Sequence, residues 1–124
     1  MLKESILQTQ CVTWFRWQYP QFRKLLIAIP NGARLHGDAK QRAMQWARLE
    51  KEGAVKGAAD LFFALPSGDY AGLFIEMKTP AGRQSPDQKQ FEKSVLDIGF
   101  GYAMPRTFDQ FQATIKQYLQ YGYY

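Results

Sequence analysis

The sequence has one cysteine and one histidine in 124 residues, and each scarcity closes a route. With Cys11 alone, no internal disulfide and no Cys-based zinc site can form, and the pattern fits a reducing compartment. His36, lacking a cysteine or second histidine as partner, is a poor metal ligand. No apolar run approaches the roughly 20 residues of a membrane span. No signal peptide is visible either: Lys3 and Glu4 fall inside an amphipathic pattern. Internal repeats and low-complexity tracts are also missing. The expectation is a soluble cytoplasmic protein without a membrane partner, and at this length one domain over residues 1–124, with no room for a second catalytic module.

Acidic residues are in the minority. The 11 Asp and Glu against 16 Lys and Arg leave a formal charge of +5, which makes polyanions the natural partners of the surface. If several of those acids gather on a cation, the remaining surface is more basic still.

What is present reads as alternating helices and strands. Leu7, Cys11, Trp14 and Phe15 fall at helical spacing within a helix from about Glu4 to Tyr19, ended by Pro20. Glu4 and Gln8 lie on the edge of that stripe, so Glu4 is open to two readings, a carboxylate turned toward the sheet or a solvated first-turn acid favoured by the helix dipole. Leu25 to Ile29 is a short strand before the turn Pro30-Asn31-Gly32. A loop holding Arg34 and His36 follows, each either a phosphate contact or plain surface. Asp38 caps a helix to about Glu52, stopped by Gly53. Its apolar content is thin and it carries Lys40, Arg42 and Arg48, which makes it a candidate surface for a nucleic-acid backbone or simply a solvated face.

Two apolar runs, Asp60 to Leu65 and Tyr70 to Lys78, flank a Pro/Ser/Gly/Asp tract and predict a hairpin. Alternation puts Leu61, Phe63, Leu65, Leu73, Ile75 and Met77 on one face, and Phe62 with Phe74 on the other. With both faces apolar, helices are expected on each side of the sheet. A loop of odd length centred on Gly68 would set Asp60 opposite Glu76, with Lys78 on the same face, whereas a two-residue turn at Ser67-Gly68 would part them. Ser85-Pro86-Asp87-Gln88 is a strong helix start. Gln88, Phe91, Val95 and Leu96 are expected to face inward, with Gln88 either a capping-box amide or an active-site amide. Phe100 to Met104 forms a last strand, and Phe108 to Tyr121 a closing helix with Phe111, Ile115, Tyr118 and Leu119 inward. The aromatic tail, Tyr118 to Tyr124, would pack on its own domain or on a second copy.

Asp60, Glu76 and Lys78 carry the chemistry. Two carboxylates are the hard oxygen ligands that Mg²⁺ or Mn²⁺ takes, and an ammonium beside them can orient water and stabilise charge on a phosphoryl group. The bland reading is a cross-strand salt bridge between Lys78 and one acid. Against it, two acids on one apolar face repel without a cation.

The segments Gly57-Ala-Ala-Asp60-Leu61, Gly72-Leu-Phe-Ile-Glu76-Met-Lys78-Thr79 and Gly82-Arg83-Gln-Ser85-Pro86-Asp-Gln88 together resemble the VRR-NUC branch of the PD-(D/E)xK nuclease superfamily, in its stand-alone phage and bacterial form. Ala59 stands where a proline often precedes the aspartate, a change of stiffness and not of ligand. The resemblance implies an α/β restriction-endonuclease-like core, αβββαβα, with a mixed central sheet flanked by helices. It implies a Mg²⁺- or Mn²⁺-dependent endonuclease of the cytoplasm of a bacterial or phage-infected cell, a homodimer cutting branched or double-stranded DNA, notably four-way (Holliday) junctions. By family role Asp60, Glu76 and the backbone carbonyl of Met77 hold the metal, Lys78 is the catalytic lysine and Gln88 the helix amide near the site. Glu4 is the first-helix carboxylate, able to serve a second ion or an outer shell, and Arg34, His36, Lys40, Arg42, Arg48 and Arg83 are candidate nucleic-acid contacts. Alternatives are a nuclease acting on flaps or nicked duplex, and a non-catalytic nucleic-acid-binding module.

Overall fold

The computed structural model describes residues 3–31 and 35–122. Arg34, Gly32 of the expected turn and the last two tyrosines of the aromatic tail lie outside them. Along the chain the elements are α1 (Glu4–Gln18), a 3₁₀ segment (Pro20–Leu25), β1 (Leu26–Ala28), α2 (Ala39–Lys51), β2 (Leu61–Phe63), β3 (Leu73–Ile75), α3 (Pro86–Asp97), β4 (Gly101–Ala103) and α4 (Phe108–Gln120). The strands form one mixed sheet in the order β1-β2-β3-β4, antiparallel except for the parallel β3–β4 pair. The strands are shorter than the apolar runs suggest. Ladder bonds nevertheless continue past them, from Ile29 N–H to the Asp60 carbonyl (2.8 Å) and from Glu76 N–H to the Ala103 carbonyl (2.8 Å).

Register decides which residues share a face. Leu61 pairs with Ile75 and Phe63 with Leu73, so the next pair outward is Asp60 with Glu76, as expected. The route to that register differs from the expected one. The tip is a two-residue turn, Gly68-Asp69, closed by reciprocal 3.0 Å bonds between Ser67 and Tyr70. This even turn alone would shift the strands by one residue. Three residues, Ala64 to Pro66, stand against two, Ala71 and Gly72, between the tip and the strands, and this bulge-like excess restores the register.

The odd-numbered face is the main core. Leu61, Phe63, Leu73, Ile75 and Met77 pack with Leu7, Cys11 and Phe15 of α1 and with Phe111, Ile115 and Tyr118 of α4. Each large apolar side chain buried there contributes about 1.5–3 kcal/mol. Burial pushes the Cys11 thiol up to about 12, so it serves as a core residue. On the even face the Phe62 and Phe74 rings meet at 4.5 Å with a tilt of 32°, and Phe91 of α3 meets Phe74 edge-on at 5.2 Å. Trp14 is only partly buried and meets Tyr19, Phe108 and Phe111 edge-on. Leu96, expected inward, is 46% exposed: its turn of α3 presents Val95 to the core instead.

The helix signals hold where capping chemistry made them. Asp38 and Ser85 each cap a helix in a reciprocal box, with Gln41 and Gln88 as the returning amides. Gly53, just past α2, has a φ of +110° that a side chain rarely adopts. No residue of α2 is fully buried, in keeping with its thin apolar stripe. Pro20 ends α1 but also opens the 3₁₀ segment, which the sequence pattern did not suggest. Among the described residues no helix is long and apolar enough to cross a membrane.

Candidate active site

The even-numbered face changes character at the open end of the hairpin. Beyond Phe62 and Phe74 it carries Asp60 and Glu76, which are 9% and 2% exposed. Each is fixed by the chain around it. Asp60 Oδ1 accepts a 2.6 Å hydrogen bond from the Asn31 amide, and Oδ2 accepts one of 2.7 Å from the Met77 backbone N–H. Glu76 Oε2 accepts from Gln88 Nε2 at 3.0 Å, while Oε1 is buried with no hydrogen-bond partner. An orphaned buried carboxylate oxygen is expensive, and such atoms need an explanation.

Gln88 resolves its two readings by satisfying both. Its Oε1 accepts from the Ser85 backbone N–H at 2.8 Å, completing the cap, and its Nε2 reaches Glu76. The start of α3 is thereby locked to the carboxylate. Gly57 brings the facing loop close: its φ is +88°, and a Cβ there would sit 2.5 Å from the Asp87 backbone.

Glu76 holds its proton far more tightly than an ordinary carboxylic acid. Burial is the main cause; the negative charge of Asp60 and hydrogen bonding with it add to the rise, Glu4 adds a little, and Lys78 opposes it, leaving the group pushed up to about 9. At neutral pH and without a cation, the pair therefore keeps a proton where two charges would otherwise meet.

A cleft of about 600 Å³ opens on this pair, and Asp60, Glu76, Gln88, Asn31 and Glu4 all line it. Trp46 and Leu35 line it too, bringing α2 and the loop before it to its rim. Glu4 itself is exposed, and among the described residues no three His, Cys, Asp or Glu side chains gather closely enough to hold a metal, so Glu4 stands at the rim and not in a three-carboxylate cluster. Lys78 is 7% exposed and is not a lining residue of the cleft; its side chain runs under the loop at Gly82. Ion pairs within 4.0 Å among the described residues are Lys56–Asp87 and Lys93–Asp97 alone, so Lys78 is not the partner of a cross-strand salt bridge.

None of the candidate DNA contacts among the described residues lines the cleft. Lys40, Arg42 and Arg48 are exposed on α2, and Arg42 Nη1 donates to the Gly37 carbonyl at 2.6 Å. Gln45 grips the backbone of His36 through both its N–H and its carbonyl, with the residue exposed, and Arg83 is exposed after Gly82. Arg34 lies outside the described residues.

Four features escape sequence reasoning. Asn31 was visible as a turn residue but not as the donor that holds Asp60. Lys56 lines the cleft, paired with Asp87 at 3.6 Å. Tyr102 and Gln84 join at 3.2 Å, with the same Gln84 amide on Glu92 at 2.9 Å; burial foremost holds the Tyr102 phenol up. Arg106 Nη1 donates to the carbonyls of Thr79 (2.9 Å), Pro80 (3.3 Å) and Gly82 (2.5 Å), fastening the loop that covers Lys78. The carbonyl acceptors of Arg106 leave no trace in a side-chain pattern, whereas Asn31, beside a proline and a glycine, had a signal to find.

No family model matches the sequence, and no curated protein matches it. Among solved structures, one described as a VRR_NUC domain protein superimposes with a TM-score of 0.81 at 22% identity, covering 98% of this chain and 92% of that one. At that identity the likeness is one of architecture, and it extends over nearly the whole length of both molecules. This chain has the fold of a VRR_NUC domain protein, a mixed four-stranded sheet between helices with two buried carboxylates at one end.

Proposed function

We propose that this chain is a metal-dependent, structure-selective DNA endonuclease that hydrolyses phosphodiester bonds with Mg²⁺ or Mn²⁺ and acts as a homodimer on branched DNA, four-way junctions in particular. The observation that carries this reading is the Asp60–Glu76 pair: two carboxyl groups buried together at one end of the sheet, with no donor of the chain on Glu76 Oε1.

The residues present fit a hard divalent cation. Asp60 and Glu76 supply carboxylate oxygens, and the Met77 carbonyl, whose own N–H is spent on Asp60, is the main-chain oxygen of the set. When bound, the ion supplies Lewis acidity toward the scissile phosphate and lowers the pKa of water. The chain does the rest. Asn31 and the Met77 N–H hold Asp60 in one rotamer, and Gln88 holds one oxygen of Glu76, leaving the other without a donor. As a ligand, Glu76 would have to be ionised, so holding a cation there would require the release of its proton. Lys78, buried and without an ion pair, brings a positive charge to the same end of the sheet for the phosphoryl oxygens. Lys40, Arg42 and Arg48 on the exposed side of α2 take the DNA backbone past the cleft, with His36 and Arg83 at its margins.

The test is a panel of linear, nicked, flap and four-way junction DNA with Mg²⁺ or Mn²⁺, using wild type and Lys78→Ala. Junction-selective cleavage lost in Lys78→Ala is the expected result. Equal cutting of every substrate removes the junction preference and leaves a general nuclease; DNA binding without cleavage under any metal overturns the enzyme reading.

A further inference from the structure

Trp17 is 84% exposed, the most exposed large apolar side chain among the described residues. Nothing in the fold needs it there. Its neighbours Trp14 and Phe15 make the aromatic contacts of α1, while Trp17 projects at the end of the helix, above the 3₁₀ segment. It lines a shallow groove of about 510 Å³ with Thr13, Arg16, Pro20 and Arg23. No acid lines that groove, and the sequence has no Asp or Glu between Glu4 and Asp38 while it has Arg16, Arg23, Lys24 and Arg34. A flat aromatic ring in one groove with two arginines, free of negative charge, matches a polyanion with π-faces.

We propose that this groove is a second DNA-binding surface, at which Trp17 stacks on an unpaired base and Arg16 and Arg23 hold the flanking phosphates. The inference rests on the reading of the chain as a DNA endonuclease and adds how it would sense departures from a plain duplex. Glu4 at the cleft and Trp17 at the groove belong to one helix, and at about 1.5 Å per residue they lie about 20 Å apart along its axis. Thirteen residues at 3.6 per turn also set the two side chains about 140° apart around that axis, so the groove opens on a different side of α1 from the cleft and would hold a different arm of a branched DNA from the one that is cut.

The experiment is fluorescence anisotropy in EDTA, where no cleavage occurs, with labelled blunt duplex, gapped duplex and single-stranded DNA. The proteins are wild type, Trp17→Ala, Trp17→Phe and the pair Arg16→Gln/Arg23→Gln, each followed also by sedimentation velocity. Trp17→Ala is expected to weaken binding of the gapped and single-stranded probes about tenfold or more, with a smaller change on blunt duplex, and Trp17→Phe to recover most of the loss. The arginine pair is expected to lower the salt dependence of log K by about two, one for each phosphate released. Unchanged affinity of Trp17→Ala for every probe overturns the proposal, as does a fall in oligomeric state for that variant, which would assign the groove to a second copy of the chain. Wild type that binds through Trp17 yet never cleaves with Mg²⁺ or Mn²⁺ fails the nuclease reading and spares this one; normal cleavage with indifferent Trp17→Ala does the reverse.

Discussion

The two ends of the β2–β3 hairpin both bury polar side chains and treat them in opposite ways. At the tip, Ser67 is 2% exposed and its hydroxyl donates to the Tyr118 carbonyl at 2.6 Å, while the Tyr118 hydroxyl donates to the Leu65 carbonyl at 2.7 Å. Those bonds tie the turn to α4. At the open end Glu76 is equally buried, yet one of its oxygens meets no donor of the chain, and burial first and then Asp60 make the group keep its proton. Burial of polar groups is thus no mark of function by itself. A polar group completed within the chain stabilises the fold, whereas one left incomplete points to a ligand from outside.

Mutations at the two ends should separate on opposite measurements. The largest effect is expected for Lys78→Ala and Asp60→Asn, each lowering cleavage by about 10²-fold or more in single-turnover assays with Mn²⁺, with DNA affinity in EDTA retained. Glu76→Gln should match them in lost cleavage but raise the melting temperature of the metal-free protein at pH 8, since it removes a carboxyl that the unfolded chain ionises and the native state must protonate. Ser67→Ala, at the tip, should do the converse: unfolding in urea about 1–2 kcal/mol easier, with cleavage per folded molecule unchanged.

Proton linkage sharpens the same contrast. The native pKa of Glu76 is raised from an ordinary 4.5 to about 9, so across that window the native state binds a proton that the unfolded chain has released. Stability of the metal-free protein therefore falls as pH rises from about 4.5 toward about 9, and is insensitive to this group below that window. Urea titrations at pH 5, 7 and 9 should show the decline in wild type and its reduction in Glu76→Gln. A wild-type profile as flat as the variant's would remove the buried-pair explanation. A smaller effect, about 1 kcal/mol, is expected for Gln88→Ala from the lost cap, accompanied by reduced cleavage because Glu76 Oε2 loses its donor.

Much of this was legible in the chain. The succession of helices and strands, the capped helix from Asp38 included, followed from apolar periodicity and from capping residues whose chemistry is local, while the αβββαβα core was what the family resemblance implied. Pairing of Asp60 with Glu76 was anticipated, but from an odd-length loop. The structure reaches the same register through an even turn and an uneven pair of arms, since loop geometry depends on backbone angles and on how Ser67 docks on α4. Gln88 could not be assigned from spacing because one side chain meets both demands. Leu96 misled because three apolar positions on α3 exceed what its short contact with the sheet can cover. Asn31 and Arg106 act over 29 and 24–27 positions of sequence, through contacts that only the tertiary fold creates.

The central claim is that the Asp60–Glu76 end is built for a divalent cation, and Mn²⁺ titration by calorimetry in two buffers of different ionisation enthalpy tests it most directly. The account predicts saturable binding by wild type, with protons released at pH 7 as Glu76 ionises, loss of binding in Asp60→Asn and loss of the proton release in Glu76→Gln. Equal Mn²⁺ binding by wild type and Asp60→Asn, or binding with no buffer-dependent heat, would contradict it.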